Sequence, residues 1–116
     1  MLNAEEIKDI AVTSLEDMKA IDIKVIDVRP MTELIDYMVI ATGTSKRHVQ
    51  SLVNKVVEDA KVKGIPPLGQ EGKETGEWQL VDLTDVVVHV MLEETRSFYD
   101  LERLWEQMPD RTAGRQ

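Results

Sequence analysis

Few residues in this chain are of types that do chemistry, and their spacing narrows the choice. Gly43, Thr44 and Ser45 stand between a β-branched run and a helical pattern. A helix entrance built of small residues can hold an anion on its free N–H groups, and Lys46 and Arg47 would assist. The glycine spacing of a phosphate loop is absent, however, and so is a dinucleotide fingerprint. The plainer reading is a turn glycine followed by helix caps. Ser45 and His48 are three apart, within reach on one helical turn. A hydrolase also needs the histidine oriented by a carboxylate and an oxyanion hole beside the serine. Nothing in the sequence fixes either, so His48 reads better as a first-turn side chain bonding the cap or the adjoining loop.

His89 lies inside the apolar run VVVHVML, where a lone histidine reads as a satisfied core or edge residue. With two histidines, no cysteine and no His-x-x-x-His spacing, no metal site is assigned, and no cofactor is expected. Asp82 and Asp85 flank a tight turn. A two-metal phosphoryl-transfer site sets its carboxylates side by side, which two aspartates across a turn do not. Aspartate suits turns, and a further reading places both on an acidic recognition face with Glu71 and Trp78. Trp78 and Asp82 are four apart on one strand, so they point the same way. Trp78 itself reads two ways: as core, or as a partly exposed anchor of the type that dominates interface hot spots. Every catalytic constellation is thus incomplete, and an enzyme is not expected.

The elements that must position these residues follow from periodicity. Asn3 and Glu6 form a capping box, and Ala4, Ile7, Ala11, Leu15 and Met18 recur at helical spacing, predicting a helix from Ala4 to Lys19. Asp22–Val28 and Tyr37–Ala41 read as strands, ended by Pro30 and Gly43. Val49, Leu52, Val53, Val56, Val57 and Ala60 form one apolar stripe, the signature of a helix lying on a sheet. Gly64 ends it, and Pro66-Pro67 prevents a restart. Leu68–Glu71 reads as a short edge strand. Trp78–Leu83 and Asp85–Leu92 read as a hairpin turning near Thr84, and the second strand is apolar enough to be covered on both faces. Thr95 is expected to cap a last helix that buries Phe98, Leu101, Leu104 and Trp105. The fold class is α/β (α+β), a four- or five-stranded mixed sheet with helices on its faces.

The chain has 116 residues, 42% hydrophobic and 31% charged, the composition of a single globular domain. Residues 1–108 are read as that domain and 109–116 as a disordered tail. Absence of cysteine excludes disulfides and thiolate chemistry and fits a reducing compartment. No signal peptide or membrane span is read. The net charge is −8, and the excess lies in the second half: residues 71–110 hold eleven acids against three bases. Phosphate backbones repel such a surface, so primary nucleic-acid binding is not expected. A basic protein surface is the better electrostatic match.

Four segments carry a resemblance: DYMVIATGTSKRHV (Asp36 to Val49), Gly69-Gln70-Glu71-Gly72, Trp78 through Met91, and the ending Tyr99-Asp100-Leu101-Glu102-Arg103-Leu104-Trp105. In that order the chain resembles the ribosomal silencing factor family (Iojap-like proteins) over residues 4–106. The resemblance implies a small domain similar in fold to nucleotidyltransferases but without their catalysis. It implies binding to large-subunit protein fourteen, a basic protein on the intersubunit face. Occupying that face blocks joining of the small subunit and lowers translation when nutrients are scarce, as in stationary phase, in the cytoplasm. Beside it, the residues favour a docking face of Glu71, Trp78, Asp82, Asp85 and His89, with Tyr37 and Tyr99 as secondary contacts. Two alternatives remain: a degenerate nucleotide-binding protein using Gly43–Ser45 and Asp82, and a homodimer of the free protein paired through Val86–Leu92 at a sheet edge.

Overall fold

Asn3 caps the first helix as its spacing from Glu6 requires. Asn3 Oδ1 accepts the Glu6 N–H at 2.8 Å, and Glu6 Oε1 accepts the Asn3 N–H at 3.1 Å. The pair satisfies two donors that a helix start otherwise leaves orphaned. This helix, α1, runs Ala4–Asp17 in a computed structural model that describes residues 2–107. The tail expected at 109–116 lies outside the described residues. After α1 come β1 (Ile21–Asp27), β2 (Tyr37–Gly43), α2 (Lys46–Val62), β3 (Gly69–Glu71), β4 (Trp78–Asp82), β5 (Val86–Leu92), α3 (Glu93–Tyr99) and α4 (Leu101–Gln107).

The strands form the expected mixed sheet, five-stranded, in the order β1-β2-β5-β4-β3. β2 and β5 run parallel, and every other neighbouring pair is antiparallel. The order corrects one expectation. Val86–Leu92 is not at an edge: β5 lies between β2 and β4, so its backbone groups are taken and it cannot pair with a second copy. The free edges are β1 and the three-residue β3. The central position does explain the apolar run, because both faces of β5 are covered.

On one face, Val39, Ala41, Val81, Val88 and Val90 meet the inner sides of α1 and α2. The α2 stripe lands there as its period requires, with Val49, Leu52, Val53, Val56 and Ala60 fully buried and Val57 only partly. Burying a side chain such as Leu52 contributes about 1.5–3 kcal/mol. One polar tie joins the two helices: Ser14 Oγ of α1 donates to Asp59 Oδ2 of α2 at 2.6 Å, and Lys55, one turn earlier on α2, pairs with the same carboxylate at 3.3 Å. On the opposite face, Ile26, Val28, Met38, Ile40 and Met91 form a second apolar cluster, against which Trp78, Leu101 and Trp105 pack.

The C-terminal segment departs from the single helix expected. Asp100 adopts a left-handed conformation (φ 49°) that splits it into α3 and α4. Aspartate tolerates this region better than most residues. Thr95 lies inside α3 and caps nothing; the N-cap position is Leu92, which offers no side-chain bond. Phe98 and Leu104 are exposed rather than buried. The break turns Leu101 and Trp105 onto the second cluster while Tyr99 stays beside Trp78. Ion pairs hold α4 in place, with Lys24 of β1 reaching Glu106 at 2.9 Å and Glu102 at 3.9 Å.

Two glycines separate conformational cost from steric cost. Gly64 follows the C-cap of α2 at φ +83°, with open space where a Cβ would stand. Gly72 has φ +92°, and a Cβ there would sit 2.0 Å from the Trp78 carbonyl oxygen. Gly64→Ala is expected to cost about 1 kcal/mol. Gly72→Ala adds displacement of the loop before β4 and is expected to cost about 3 kcal/mol or more. Urea midpoints at unchanged m-value measure both.

Candidate docking surface

Strand register decides which of the expected residues share a face. Opposite α1 and α2, the sheet presents three rows across its strands. Trp78 pairs with Met91, which pairs with Thr42. Glu71 pairs with Leu80, Leu80 with His89, and His89 with Ile40. Asp82 pairs with Val87, which pairs with Met38. Glu71, Trp78, Asp82 and His89 therefore lie on one face, as alternation along β4 requires. α4 covers the β1–β2 side of this face through Leu101 and Trp105. On the β3–β4 side Glu71 is exposed, and Leu80, Asp82 and Val87 are half-buried.

Trp78 is neither sealed in nor free. It is half-buried against the second cluster, and its Nε1–H donates to His89 Nδ1 at 2.9 Å. The imidazole must therefore carry its own proton on Nε2. Burial pushes the His89 pKa down to about 4, so the ring is neutral and able to accept at neutral pH. His89, expected on the docking face, lies on it but is only 6% exposed, so its ring offers that face little surface. Tyr99, arriving on α3, sets its ring 4.8 Å from that of Trp78 at a 51° tilt. Phe98 stands edge-on to Tyr99 at 5.1 Å and is 81% exposed. Leu80 stands on this face with Trp78 and Asp82 as alternation along β4 requires, whereas the exposure of Phe98 departs from the burial that its helical spacing predicts.

Two expected residues lie elsewhere. Asp85 follows the turn at Thr84 (φ 76°), and its carbonyl accepts the Asp36 and Tyr37 N–H groups. It lines a recess with Leu2, Ile7 and Leu83. Tyr37 pairs with Val86, at the end of β5 remote from Met91, about 17 Å along the strand. Its ring packs with the α1–α2 side of the sheet, between Lys8 and Arg29. Asp82 belongs to the face but also serves the turn, its Oδ1 accepting the Thr84 N–H at 2.8 Å.

The helix entrance at Gly43–Ser45 is occupied by its own side chains. Ser45 is the N-cap and accepts the His48 N–H at 3.0 Å. The Thr44 N–H donates to His48 Nδ1 at 2.9 Å, and His48 Nε2 meets the Met18 carbonyl at 2.8 Å. His48 thus staples the end of α1 to the start of α2, as the sequence indicated, and is not paired with a serine nucleophile. Asp22, Glu93 and Glu94 line the adjoining cleft of about 370 Å³. Three carboxylates and an engaged Thr44 N–H make a poor seat for a phosphate. Among the described residues no group of three or more histidine, aspartate or glutamate side chains is placed to hold a metal ion.

Arg96 fixes α3 to the sheet. Its Nη1 donates to the Asp22 carbonyl at 2.6 Å and to Thr42 Oγ1 at 2.8 Å, and its Nε donates to Glu102. The guanidinium holds the Glu102 carboxyl below the usual carboxylate range. Hydrogen bonds from Arg29 and Ser14 lower Asp27 and Asp59 in the same way.

What these residues assemble is an aromatic, carboxylate-bearing face on a small α/β domain. The chain belongs to the ribosomal silencing factor family: the family model described as "Ribosomal silencing factor during starvation" matches residues 2–115. It is 46% identical over 104 residues to "Ribosomal silencing factor RsfS" of Chromobacterium violaceum, covering 90% of this chain and 85% of that one. A crystal structure of a protein from the same organism superposes with a TM-score of 0.89 at 46% identity, over 93% of this chain and 91% of the other. A mouse protein named "Mitochondrial assembly of ribosomal large subunit protein 1" is 41% identical over 100 residues, 84% of this chain but 44% of its own length. Family membership assigns the chain a ribosome-silencing, regulatory role.

The burial of His89 makes stability depend on pH. The unfolded imidazole takes up a proton near pH 6.5 and the folded one near 4. Native stability is therefore full above about pH 6.5 and falls as pH drops toward 4. The loss from this group between pH 7 and pH 5 is expected to be on the order of 2 kcal/mol. The three lowered carboxylates act further down, stabilising the fold above their unfolded values near pH 4 and losing that contribution as pH falls through the folded ones. The urea midpoint of the native chain should be clearly lower at pH 5 than at pH 7, whereas in His89→Gln the two midpoints should nearly coincide.

Proposed function

We propose that this protein silences ribosomes by docking on the large subunit and standing where the small subunit must land. The partner is a basic protein of the intersubunit face, protein fourteen, and the setting is the cytoplasm under nutrient limitation. The observation that carries this reading is the sheet face on which Trp78, with Tyr99 of α3 laid against it, stands with Glu71 and Asp82. Aromatic side chains supply the desolvated centre that dominates interface energetics, and carboxylates steer toward a cationic surface. From β3 to α4 the chain holds ten carboxylates and three cations, of which Arg96 is consumed within the fold. The name of the mouse relative, which speaks of the large subunit, is in keeping with it. The mechanism is occlusion: a domain with principal extents of 47 × 37 × 22 Å is bulk enough to keep two surfaces apart without chemistry.

Purified large subunits should retain the protein during sedimentation, and retention should weaken as salt screens the charge pairs. Added protein should lower the light scattering produced when small subunits are mixed in. Glu71→Lys with Asp82→Lys should reduce retention at least tenfold, about 1.4 kcal/mol. Large subunits that fail to retain the native chain at low salt would show the reading to be wrong.

A further inference from the structure

An exposed phenylalanine is an unusual expense for a small acidic domain, and Phe98 is 81% exposed on a helix that buries none of its residues. Specific contacts nevertheless hold α3 against the sheet. Arg96 bolts it to the Asp22 carbonyl and Thr42 hydroxyl, Asp100 turns the chain into α4, and Tyr99 rests on Trp78. Phe98 in turn rests on Tyr99. A line of contacts thus runs outward from the sheet: His89, Trp78, Tyr99, Phe98. Exposure rises along it, from 6% at His89 to 55% at Tyr99 and 81% at Phe98. The Trp78 N–H is directed inward to His89, so it is not offered to a partner.

We propose that Phe98 and Tyr99 are the residues that enter the partner, and that Trp78 and His89 are positioning residues behind them. The proposal rests on the docking reading above and names the contact chemistry of that same face. The occupant is a positively charged protein surface with an apolar recess that receives Phe98. Charge argues for it: Glu93 and Glu94 open the same helix, Glu77 precedes Trp78, and Asp100 follows Tyr99. Lysine or arginine side chains at the rim of such a recess would meet carboxylates on each side, whereas RNA phosphates would be repelled. Holding the two rings in place beforehand removes the ordering cost that a mobile aromatic would incur on binding.

The test is retention on purified large subunits at low salt. Phe98→Ala should weaken retention at least tenfold while leaving the thermal unfolding midpoint unchanged, because the ring is almost wholly in solvent. Tyr99→Ala should weaken it similarly. His89→Leu removes the acceptor and should shift the Trp78 indole N–H resonance and weaken retention. His89→Gln, which restores an acceptor, should recover both. Phe98→Ala binding like the native chain would overturn the proposal, with the docking reading intact as long as Glu71→Lys with Asp82→Lys still releases the protein. Native protein that is not retained at all would instead sink the docking reading. A concentration-dependent dimer abolished by Phe98→Ala, with subunit retention untouched, would assign the ring to a second copy and also overturn the proposal.

Discussion

An indole N–H that faces an apolar cluster is costly to leave without an acceptor inside the protein. β5 provides one in His89, a polar ring within an otherwise apolar strand. The bond works only while the imidazole is neutral, and the burial that makes the bond necessary also keeps it neutral. The attitude of Trp78 follows from it, then the resting place of Tyr99 on Trp78, then the exposure of Phe98 beyond. A leucine at position 89 would suit the strand better in isolation and leave the indole without a partner.

The C-terminal helices answer to a second requirement. A sheet with apolar residues on both faces needs cover on both, and α1 and α2 supply only one side. α4 closes part of the other, held by Leu101, Trp105 and the charges of Lys24, Glu102 and Glu106. Seven residues cannot span the whole face. The uncovered strip along β3 and β4 is where Glu71, Leu80 and Asp82 meet solvent. The proposed docking surface is thus the part of the sheet that the chain's own helices do not reach.

Local pattern made much of this legible. The 3.6 period of the α2 stripe, the period of 2 along β4, the three-residue spacing of the Asn3–Glu6 cap and the unbroken apolar run of β5 are all signals that a few neighbouring residues are enough to display. The family, too, was legible in four short segments between Asp36 and Trp105, and the family match bears it out. What was not legible is what depends on residues far apart. That β5 lies between β2 and β4 is a property of the sheet, not of VVVHVML. Phe98, Leu101, Leu104 and Trp105 have helical spacing, yet Asp100 breaks the helix because Trp78 and the second cluster draw its two halves different ways. Asp85 is three residues from Asp82 but points from another part of the sheet, since the turn at Thr84 lies between them. The task of His89 could not be read without knowing which strand crosses it.

The position of β5 also orders events in time. Val86 is partnered by Tyr37, forty-nine residues earlier, so the middle of the sheet is the part completed last as the polypeptide is synthesised. Until residues 86–92 emerge, β2 lacks a neighbour on one side, and α1 and α2 have only half a floor. Closing so long a segment is entropically costly and slow compared with forming a helix. The parallel β2–β5 pairing, and with it the full floor beneath α1 and α2, therefore forms only after residues 86–92 have been made.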